Sequence, residues 1–386
     1  MKARRRAGRC HTDSELLTQF HEHGNIKMEN EDTTIKLQNF IDIKKGEYIT
    51  RDKENEGIYP VILGGKEPAY YIDRYNHEGK AIVVSRSGAS AGYVSLWNEK
   101  IFVTDGFLIE PKNNVSYDYI YYFLKSREGV LKLLQGGAAI PHVTPRLLNN
   151  LQINLPPLPT QQKIASILSA YDKLIQNYKK QIEALQTSSS ELYKEWFVRF
   201  RFPGYQTAEF ENGIPKGWKV EKLTKLVEVK YGKDHSKLDV GNIPVYGSGG
   251  IMRYCNKALY DKETVLIPRK GSLNNIMYAN NPLWTVDTMF YTVMLRKNIA
   301  KYLYYVLSKI DMESFNAGAA LPSMTTEILS HFKIIVPDNE ILESFDKKIA
   351  LIFTQIDNLQ QQITNLTQQR DLLLPRLMSG KLEVEK

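Results

Sequence analysis

Two short segments place an arginine close to a glycine at matching points of the chain. Arg86 lies two residues before Gly88, and Arg269 lies two residues before Gly271. A glycine lets a loop approach another molecule closely. Arginine can donate paired hydrogen bonds to O6 and N7 of guanine, as asparagine can to adenine. These two arginines are therefore the leading candidates for contacts to base edges in a nucleic-acid groove.

Other basic, amide and aromatic side chains lie in similar glycine-rich loops, where they suit contacts to phosphates or bases. The candidates in the first half of the chain are Lys44, Lys45, Tyr48, Arg51, Lys66, Arg74, Tyr75 and Ser87. Those in the second half are Lys230, Tyr231, Lys233, His235, Arg253, Tyr254, Lys270, Asn274 and Asn275. A lone lysine of this kind is more often a solvated surface residue than a contact.

Catalytic motifs are mostly absent from the sequence. Gly232-Lys233-Asp234 lacks the hydroxyl residue of a phosphate-binding G-x-x-x-x-G-K-[ST] loop. The segment NLPP at residues 154–157 lacks the aromatic residue of an amino-methyltransferase motif, and no glycine-rich methyl-donor loop precedes a helix. The 7 histidines show no metal-binding spacing, and Cys10 and Cys255 lie far apart. We therefore expect neither a catalytic site nor a metal site in this chain.

Length and composition indicate a globular protein. The chain has 386 residues, of which 42% are hydrophobic and 24% charged, and this length predicts two to three domains. Its formal net charge of +8 favours a polyanionic partner only weakly. No apolar run approaches the roughly 20 residues of a membrane span. The arginine-rich start lacks the apolar segment of a secretory signal. With its few cysteines, the chain is expected in the cytoplasm.

The chain contains a long internal repeat. Residues 136–141 match residues 317–322, residues 119–124 match residues 302–307, and residues 82–88 match residues 265–271. The shift changes only from 184 residues between Pro60 and Pro244 to 181 residues between Pro141 and Pro322. Matches in the same order at a nearly constant shift indicate duplication of a whole domain with its connector.

Each copy begins with a domain that mixes strands and helices. Short apolar runs such as residues 81–84 and 263–267, bounded by turn residues, predict strands. The tyrosine-rich segments and the stretches after Thr144 and Thr325 predict helices. We expect the tyrosines of residues 119–122 to pack on the sheet, and Trp196 and Trp218 to anchor a domain to a helix.

Each copy ends in a long helix with a narrow apolar stripe. In the first helix, Thr160 is the expected N-cap, and the stripe is Ile164, Ile167, Tyr171, Leu174, Tyr178 and Leu185. In the second, Asp338 or Asn339 is the expected N-cap and Pro375 the expected end, and the stripe is Ile349, Ile352, Ile356, Leu359, Ile363, Leu366 and Leu373. Such a stripe requires a partner helix, and the other copy supplies one.

Six segments that flank or form these helices follow one another in a specific order. They are PPLP at 156–159, QQKIA at 161–165, YDKLI at 171–175, LYKEWFVRF at 192–200, IPKGW at 214–218 and LLPRLMSGKL at 373–382. In this order they resemble the specificity subunit of type I restriction-modification systems. The second helix departs from the pattern, since Asp346-Lys347-Lys348-Ile349 lacks the double glutamine.

The resemblance implies an α+β fold in which two duplicated target-recognition domains are separated and joined by two long helices. These helices would form an antiparallel coiled coil with a pseudo-two-fold arrangement. The expected boundaries are a poorly ordered extension at 1–34, a recognition domain at 35–158, a helix at 159–200, a linker and second recognition domain at 201–338, and a helix with its tail at 339–386. Met28 is a candidate start codon, and on this hypothesis removal of the residues before it leaves complex assembly intact.

The resemblance also implies a non-catalytic role. Each domain would recognise one half of a split, asymmetric site in double-stranded DNA. The helices would hold two methyltransferase subunits and, through them, two restriction and motor subunits. S-adenosylmethionine, ATP and Mg²⁺ are then expected on those partners and no cofactor on this chain.

Two other functions stay open at the level of the sequence. One is a structural coiled-coil scaffold whose paired domains bind protein or RNA. The other is a specificity chain that serves a fused nuclease-methyltransferase. A steep salt dependence of duplex binding favours a DNA-recognition role over the scaffold.

Overall fold

The structure, a computed structural model, describes residues 35–49, 56–133, 142–315 and 323–384. The chain divides into two units. The first consists of residues up to Lys173 together with those from Gln368 onward, and the second of Leu174–Thr367. The expected extension at 1–34 and the repeated segments 136–141 and 317–322 lie outside the described residues.

The first unit contains two main β-sheets. Its strands are β1 (Ile35–Lys36), β2 (Ile41–Lys45), β3 (Glu56–Ile62), β4 (Tyr71–Ile72), β5 (Lys80–Ser85), β6 (Val94–Asn98), β7 (Phe102–Val103), β8 (Gly106–Pro111) and β9 (Gln152–Ile153). The larger sheet has the order β2-β8-β5-β6 with antiparallel neighbours. The smaller has the order β4-β3-β7, in which β3 and β7 are parallel. Ala81 to Ser85 are all buried, as expected of a strand covered on both faces.

The helices of the first unit are α1 (Tyr117–Ser126), α2 (Glu128–Leu133), α3 (Pro145–Asn149) and the beginning of the long helix α4 (Leu158–Tyr193). Thr144 caps α3 by accepting the N–H of Leu147, which confirms the helix predicted after this threonine. Tyr119 and Tyr122 of α1 are buried in one core with Ile82 of β5. The tyrosine-rich helix therefore packs on the sheet, as predicted.

The second unit repeats this arrangement. Its strands are β10 (Phe210–Glu211), β11 (Ile214–Pro215), β12 (Lys219–Lys222), β13 (Val227–Tyr231), β14 (Ile243–Gly247), β15 (Gly250–Cys255), β16 (Thr264–Pro268), β17 (Met277–Ala279), β18 (Trp284–Thr285), β19 (Met289–Met294) and β20 (Lys333–Val336). The two main sheets have the orders β13-β19-β16-β17 and β15-β14-β18. Under the repeat alignment these are the orders of the first unit. The duplicated α+β fold is thus confirmed.

The helices of the second unit are α5 (Ala300–Leu307), α6 (Thr326–Ser330) and the beginning of the long helix α7 (Asn339–Met378). An aromatic cluster joins the domain to both long helices. The ring of Phe197, in the π-helical turn after α4, lies 4.8 Å from that of Phe345 in α7 and 5.9 Å from that of Trp218. Trp196 lies 5.8 Å from Phe345. The predicted anchoring role of the two tryptophans is therefore confirmed.

The ends of the long helices differ in part from the prediction. Asp338 caps α7, since its side chain accepts the N–H of Ile341 at 2.9 Å. The prediction for Thr160 was wrong because α4 already begins at Leu158, with Pro159 in the first turn, where a proline N–H is not needed. The prediction for Pro375 was also wrong, because α7 continues through it to Met378. Packing of Leu374, Leu377 and Met378 in the core of the first unit outweighs the lost hydrogen bond.

The buried stripe of α4 also differs from the predicted one. Leu168 and Ile175 are buried, whereas Leu174 is 36% exposed. The most buried stripe therefore follows steps of four and three residues through Ile164, Leu168, half-buried Tyr171 and Ile175; Ile167 packs partly buried against the same core, and only Leu174 lies off the stripe. Adjacent apolar pairs at 167–168 and 174–175 offered two stripes, and only packing selected one.

Within each unit, the beginning of one long helix meets the end of the other. In the first unit, Ile164 and Leu168 of α4 share a core with Leu374 and Leu377 of α7. In the second, Tyr193 at the end of α4 shares a core with Phe345 and Ile349 near the beginning of α7. This is antiparallel pairing. Among the described helices, none combines the length and apolarity that a bilayer span requires.

Candidate nucleic-acid interface

In the first unit, three turns meet at one end of the larger sheet. The Ser85 hydroxyl, at the end of β5, donates to the carbonyl oxygen of Gly64 at 2.7 Å. The N–H of Arg86 donates to the carbonyl oxygen of Asp105 at 3.2 Å. Gly64 has a φ of 81°, which favours glycine. These contacts hold the turn that carries Arg86 beside the turns that follow β3 and β7.

The second unit builds the same junction from different residues. The N–H of Arg269 donates to the carbonyl oxygen of Thr288 at 2.8 Å. The Asn275 side chain donates to the carbonyl oxygen of Ser248 at 2.8 Å. Gly271 has a φ of 84°, and a Cβ there would lie 2.7 Å from the Ser248 hydroxyl oxygen. The glycine beside the candidate arginine is thus required by the turn itself.

Arg86 is oriented by a carboxylate. Its Nε lies 2.6 Å from Oδ1 of Asp105, and the Ser87 hydroxyl donates to Oδ2 of the same group. The two terminal guanidinium nitrogens of Arg86 make no hydrogen bond within the described residues. Asp105 therefore fixes the plane of the guanidinium and leaves its outer fork free for a bidentate contact.

Arg269 is held in a different way. Its guanidinium lies over the ring of Tyr231, 5.4 Å from the centroid, and donates to the carbonyl oxygen of Asp287 at 3.2 Å. The Tyr231 ring packs edge-on against Phe290 at 5.0 Å. No carboxylate pairs with Arg269 within the described residues. The two equivalent arginines therefore present unlike electrostatic surroundings.

Further candidates lie at the same ends of the sheets. In the first unit, Lys45 pairs with Phe107 on the strand that follows Asp105, and Tyr48 nearby is 87% exposed. In the second unit, Lys270 is exposed next to Arg269, and exposed Lys233 donates its N–H to the carbonyl oxygen of Thr285 at 2.8 Å. The structure thus brings Lys45, Arg86 and Ser87 together, and separately Tyr231, Lys233, Arg269 and Lys270.

Several candidates have polar groups engaged by the chain itself. Arg253 donates to the carbonyl oxygens of His235 and Leu238 at 3.1 and 2.6 Å. The Asn274 side chain donates to Asp311 at 3.1 Å and accepts the N–H of Met312 at 2.7 Å. Asn275 binds the loop at Ser248, as described above. These side chains hold loops in place, and their contact with nucleic acid stays a prediction.

The remaining candidates lie on the surface of their domains. Lys44 pairs with Glu110 at 2.7 Å, and Lys230 pairs with Glu228. Arg74 lies over Phe102 at 5.6 Å, and Lys66 over Tyr93 at 5.9 Å. Tyr75 packs on Tyr59 and under Lys100, and Tyr254 is an exposed residue of β15. Arg51 lies outside the described residues.

Sequence reasoning missed two parts of this surface. One is Asp105, whose carboxylate orients Arg86, although the recurrence of this aspartate as Asp287 in the second copy was a usable signal. The other is the apolar surface of the hairpin of β14 and β15, where Ile251 and Met252 are both exposed. In the described part of the chain, no group of three or more histidine, cysteine, aspartate or glutamate side chains can hold a metal ion.

This fold defines a class of proteins in which one α+β domain occurs twice and alternates with long helices. The family model of the type I restriction modification DNA specificity domain matches the chain twice, at residues 29–187 and 215–372. The chain therefore belongs to this family.

Named relatives agree with this family. The chain is 29% identical to the type I restriction enzyme MjaIX specificity subunit of Methanocaldococcus jannaschii, over 80% of this chain and 79% of that protein. It is 25% identical to the MjaVIII specificity subunit of the same organism, over 95% and 96% of the two chains. The crystal structure of a type I restriction-modification S subunit from M. genitalium has 22% identity, a TM-score of 0.60, and coverage of 92% of this chain and 98% of that one, which shows a shared fold.

Proposed function

We propose that this chain is a non-catalytic specificity subunit that binds a bipartite, asymmetric site in double-stranded DNA, with one recognition domain for each half-site. The observation that carries the proposal is that the same turn occurs in both domains but surrounds its arginine with different side chains. Arg86 is oriented by Asp105 in one domain, whereas Arg269 is stacked on Tyr231 in the other. A shared scaffold with different contact groups suits two different half-sites, because a palindrome requires identical recognition surfaces.

The long helices support a fixed spacing between the half-sites. Helix α4 is continuous over 36 residues, or about 54 Å at 1.5 Å per residue. B-DNA rises about 34 Å in ten base pairs. A rod of this length suits half-sites separated by several base pairs that are not recognised.

The partners that we propose are two methyltransferase subunits, with two restriction and motor subunits bound through them. Exposed leucines support protein partners on the long helices, since Leu351 is 74% and Leu372 65% exposed. Large apolar side chains at such positions often mark interaction sites. On this proposal, S-adenosylmethionine, ATP and Mg²⁺ bind the partner subunits.

The proposal is tested with this chain assembled with the methyltransferase subunits of its host. Methylome sequencing of the host, with and without this gene, is expected to show one split, asymmetric motif whose modification depends on the chain. A duplex with that motif should bind the complex more tightly than a duplex with either half-site scrambled. The logarithm of the binding constant should fall with log salt by about 0.9 per neutralised phosphate. Binding that ignores sequence, or preference for RNA, would favour the scaffold instead.

A further inference from the structure

The first unit contains a site that binds an arginine side chain, and both the arginine and its partners belong to this chain. Asp172 of α4 accepts a hydrogen bond from the Tyr122 hydroxyl at 2.6 Å and from Nη1 of Arg370 at 2.6 Å. Burial raises the pKa of Tyr121, and the nearby Arg370 charge partly opposes this rise. A similar opposing effect reaches Tyr93. The Arg370 guanidinium therefore lies near tyrosines and has two carboxylate partners, Asp172 and its own neighbour Asp371.

The second copy retains one carboxylate and two tyrosines of this arrangement but not the arginine. At the shift of 185 residues that relates the long helices, Asp357 corresponds to Asp172, and Leu185 corresponds to Arg370. At the domain shift of 183 residues, Tyr304 and Tyr305 correspond to Tyr121 and Tyr122. Within the described residues, Asp357 makes no hydrogen bond or ion pair. The carboxylate of Asp172 and two of the tyrosines are kept. The cation is replaced by an apolar side chain, Asp371 by Gln186 and Tyr93 by Ile276.

Asp357, Tyr304 and Tyr305 line an open cavity of about 1040 Å³ in the second unit, and Leu185 precedes Gln186, another of its lining residues. Its walls include Asp357, Gln360, Tyr246, Tyr278, Tyr304 and Tyr305. Asp357 is exposed to solvent on one side, and partial desolvation on the other raises its pKa. The cavity is large enough for a segment of another protein, not only for one side chain.

We propose that this cavity binds an arginine side chain of the methyltransferase partner, with the guanidinium held by Asp357 and stacked among the tyrosines, as Arg370 is held by Asp172 in the first unit. The inference rests on the proposed function, since it names the surface that one partner uses. A planar guanidinium fits a site of a carboxylate with aromatic rings better than an ammonium does.

The charge of the cavity argues against nucleic acid as its occupant. Among the described residues, the ionisable side chains that line it, apart from tyrosines, are Asp357 and Lys309, and both are exposed; Asp357 lies beside the tyrosines on α7, whereas Lys309 lies beyond the end of α5. A phosphate placed there would face the Asp357 carboxylate without a guanidinium to bridge them. A cationic side chain gains from the same carboxylate.

The test is the affinity of this chain for the purified methyltransferase, measured by calorimetry. Asp357→Asn keeps the shape of the side chain and removes its charge, so the dissociation constant should rise on the order of 10- to 100-fold. Glu340→Gln, which neutralises an exposed acid on the same helix away from the cavity, is the matched control and should bind like wild type. Equal affinity of Asp357→Asn and wild type would overturn the inference.

A second variant tests the proposed chemistry of the occupant. Leu185→Arg places a guanidinium where the repeat alignment puts Arg370, so it should occupy the cavity and lower methyltransferase affinity by a similar factor. Combined with Asp357→Asn, it should cause little further loss. Additive losses would overturn the inference. If deletion of residues 1–27, which include Arg4 to Arg6, abolished the effect of Asp357→Asn, the occupant would be this chain's own extension and the inference would be wrong.

Failure of this inference is distinguishable from failure of the proposed function. At saturating methyltransferase concentrations, Asp357→Asn should still bind the split DNA motif with wild-type sequence preference, because Asp357 is not a candidate DNA contact, although the candidate Asn275 lines another wall of the cavity. If Asp357→Asn bound DNA with sequence preference and bound the methyltransferase as tightly as wild type, only the inference about the docking site would be wrong. If the wild-type complex bound DNA without sequence preference, the proposed function itself would be wrong.

Discussion

Arg370 and Asp172 lie 198 residues apart in the chain, yet Nη1 of the arginine is 2.6 Å from the carboxylate. The arginine belongs to the end of α7 and the aspartate to the beginning of α4. Tyr122 adds a hydrogen bond from the domain to the same carboxylate. One half-buried carboxylate thus joins both long helices to the first recognition domain.

Loss of this ion pair should destabilise the first unit. Arg370→Gln leaves Asp172 with only the tyrosine as a donor, so the free energy of unfolding should fall by about 1–3 kcal/mol. Arg376→Gln, two turns along the same helix at an exposed position, should change it by less than about 0.5 kcal/mol. Urea unfolding followed by circular dichroism measures both. Equal effects of the two variants would show that the pair contributes nothing.

A buried lysine plays a similar role in the second unit, and its contribution should depend on pH. Nζ of Lys301 lies 2.5 Å from Glu263 and 2.9 Å from Asp346 of α7. Burial alone would lower the pKa of Lys301, but hydrogen bonds to these carboxylates outweigh it and raise the pKa above 10.5. Lys301→Met leaves two carboxylates without a cation, and within the described residues only Glu263 keeps a donor, the Tyr278 hydroxyl, so stability should fall by about 3 kcal/mol near neutral pH.

The sign of the pH effect follows from the raised pKa. A cation whose pKa is higher in the folded state stabilises the fold below its unfolded pKa, and the stabilisation is lost as the pH rises through the folded pKa. The difference between wild type and Lys301→Met should therefore be constant from about pH 7 to 9 and shrink above about pH 10.5. Unfolding at each pH measures it, and a difference that grew at alkaline pH would contradict this assignment.

The first domain has an ion pair at the equivalent positions, but the acidic and basic residues are exchanged. Lys80 and Asp118 pair at 2.6 Å in the first domain, at the positions that correspond to Glu263 and Lys301. Helix residue Asp346 corresponds to Gln161, whose side chain bonds Ser116 N–H and Pro156 O instead. The double variant Glu263→Lys with Lys301→Asp should therefore be destabilised, because the carboxylate introduced at position 301 would face that of Asp346.

Adding Asp346→Gln to that double variant should recover about 1 kcal/mol or more of stability, because it completes the arrangement of the first domain. The single variant Asp346→Gln in the wild-type background is the control and should be destabilising, since Lys301 loses a partner. A thermodynamic cycle over the three positions measures the coupling. If Asp346→Gln lowered the free energy of unfolding equally in the wild type and in the double variant, the arrangement of the charges would not matter for stability.

Arg86 should contribute to recognition of one half-site. Arg86→Ala in the assembled complex should weaken binding by about 1–3 kcal/mol and relax base preference at one position of that half-site. Asp105→Asn should relax the base preference more than it weakens binding, because the Arg86 guanidinium loses the carboxylate that orients it in the wild type. Arg146→Ala, an exposed arginine of α3 in the same unit, is the control. Competition assays with single-base duplex variants measure both effects.

The length of α4 should set the spacer between half-sites. Four residues inserted near Ser188 add about one helical turn, or about 6 Å, and the preferred spacer should grow by roughly 1–2 bp. Ser189 is buried there, so a variant with residues 187–190 replaced by alanine at constant length controls for changes in packing. Methylome sequencing of strains with each variant gives the spacer directly. An unchanged spacer in the insertion variant would show that the helix does not measure distance.

The duplication, the α+β domains and the two long helices were predictable because each has a local signature. Repeated motifs record the duplication, short apolar runs mark the strands, and a sustained apolar stripe marks each helix. Helix ends and the choice of stripe were predicted less well. Leu174 and Ile175 are equally apolar, so only packing decides which of the two is buried.

The candidate site divides in the same way. The sequence placed Arg86 and Arg269 at equivalent turns, and the structure finds both in glycine-bearing turns of the same architecture. It could not indicate that Asp105 orients one arginine and Tyr231 supports the other, since these partners come from distant strands. Nor could it indicate that Arg253 and Asn274 hold loops within their own domain.

The sequence by itself determined that the protein is a doubled α+β chain with two long helices, because repetition and periodicity are properties of neighbouring residues. Only the tertiary structure decided which charges meet. Asp172 and Asp357 occupy equivalent positions of equivalent helices, yet one is bound by an arginine and the other lines a cavity. The difference arises because each carboxylate's surroundings include residues far away in the chain, and only folding determines which of them come within hydrogen-bonding distance.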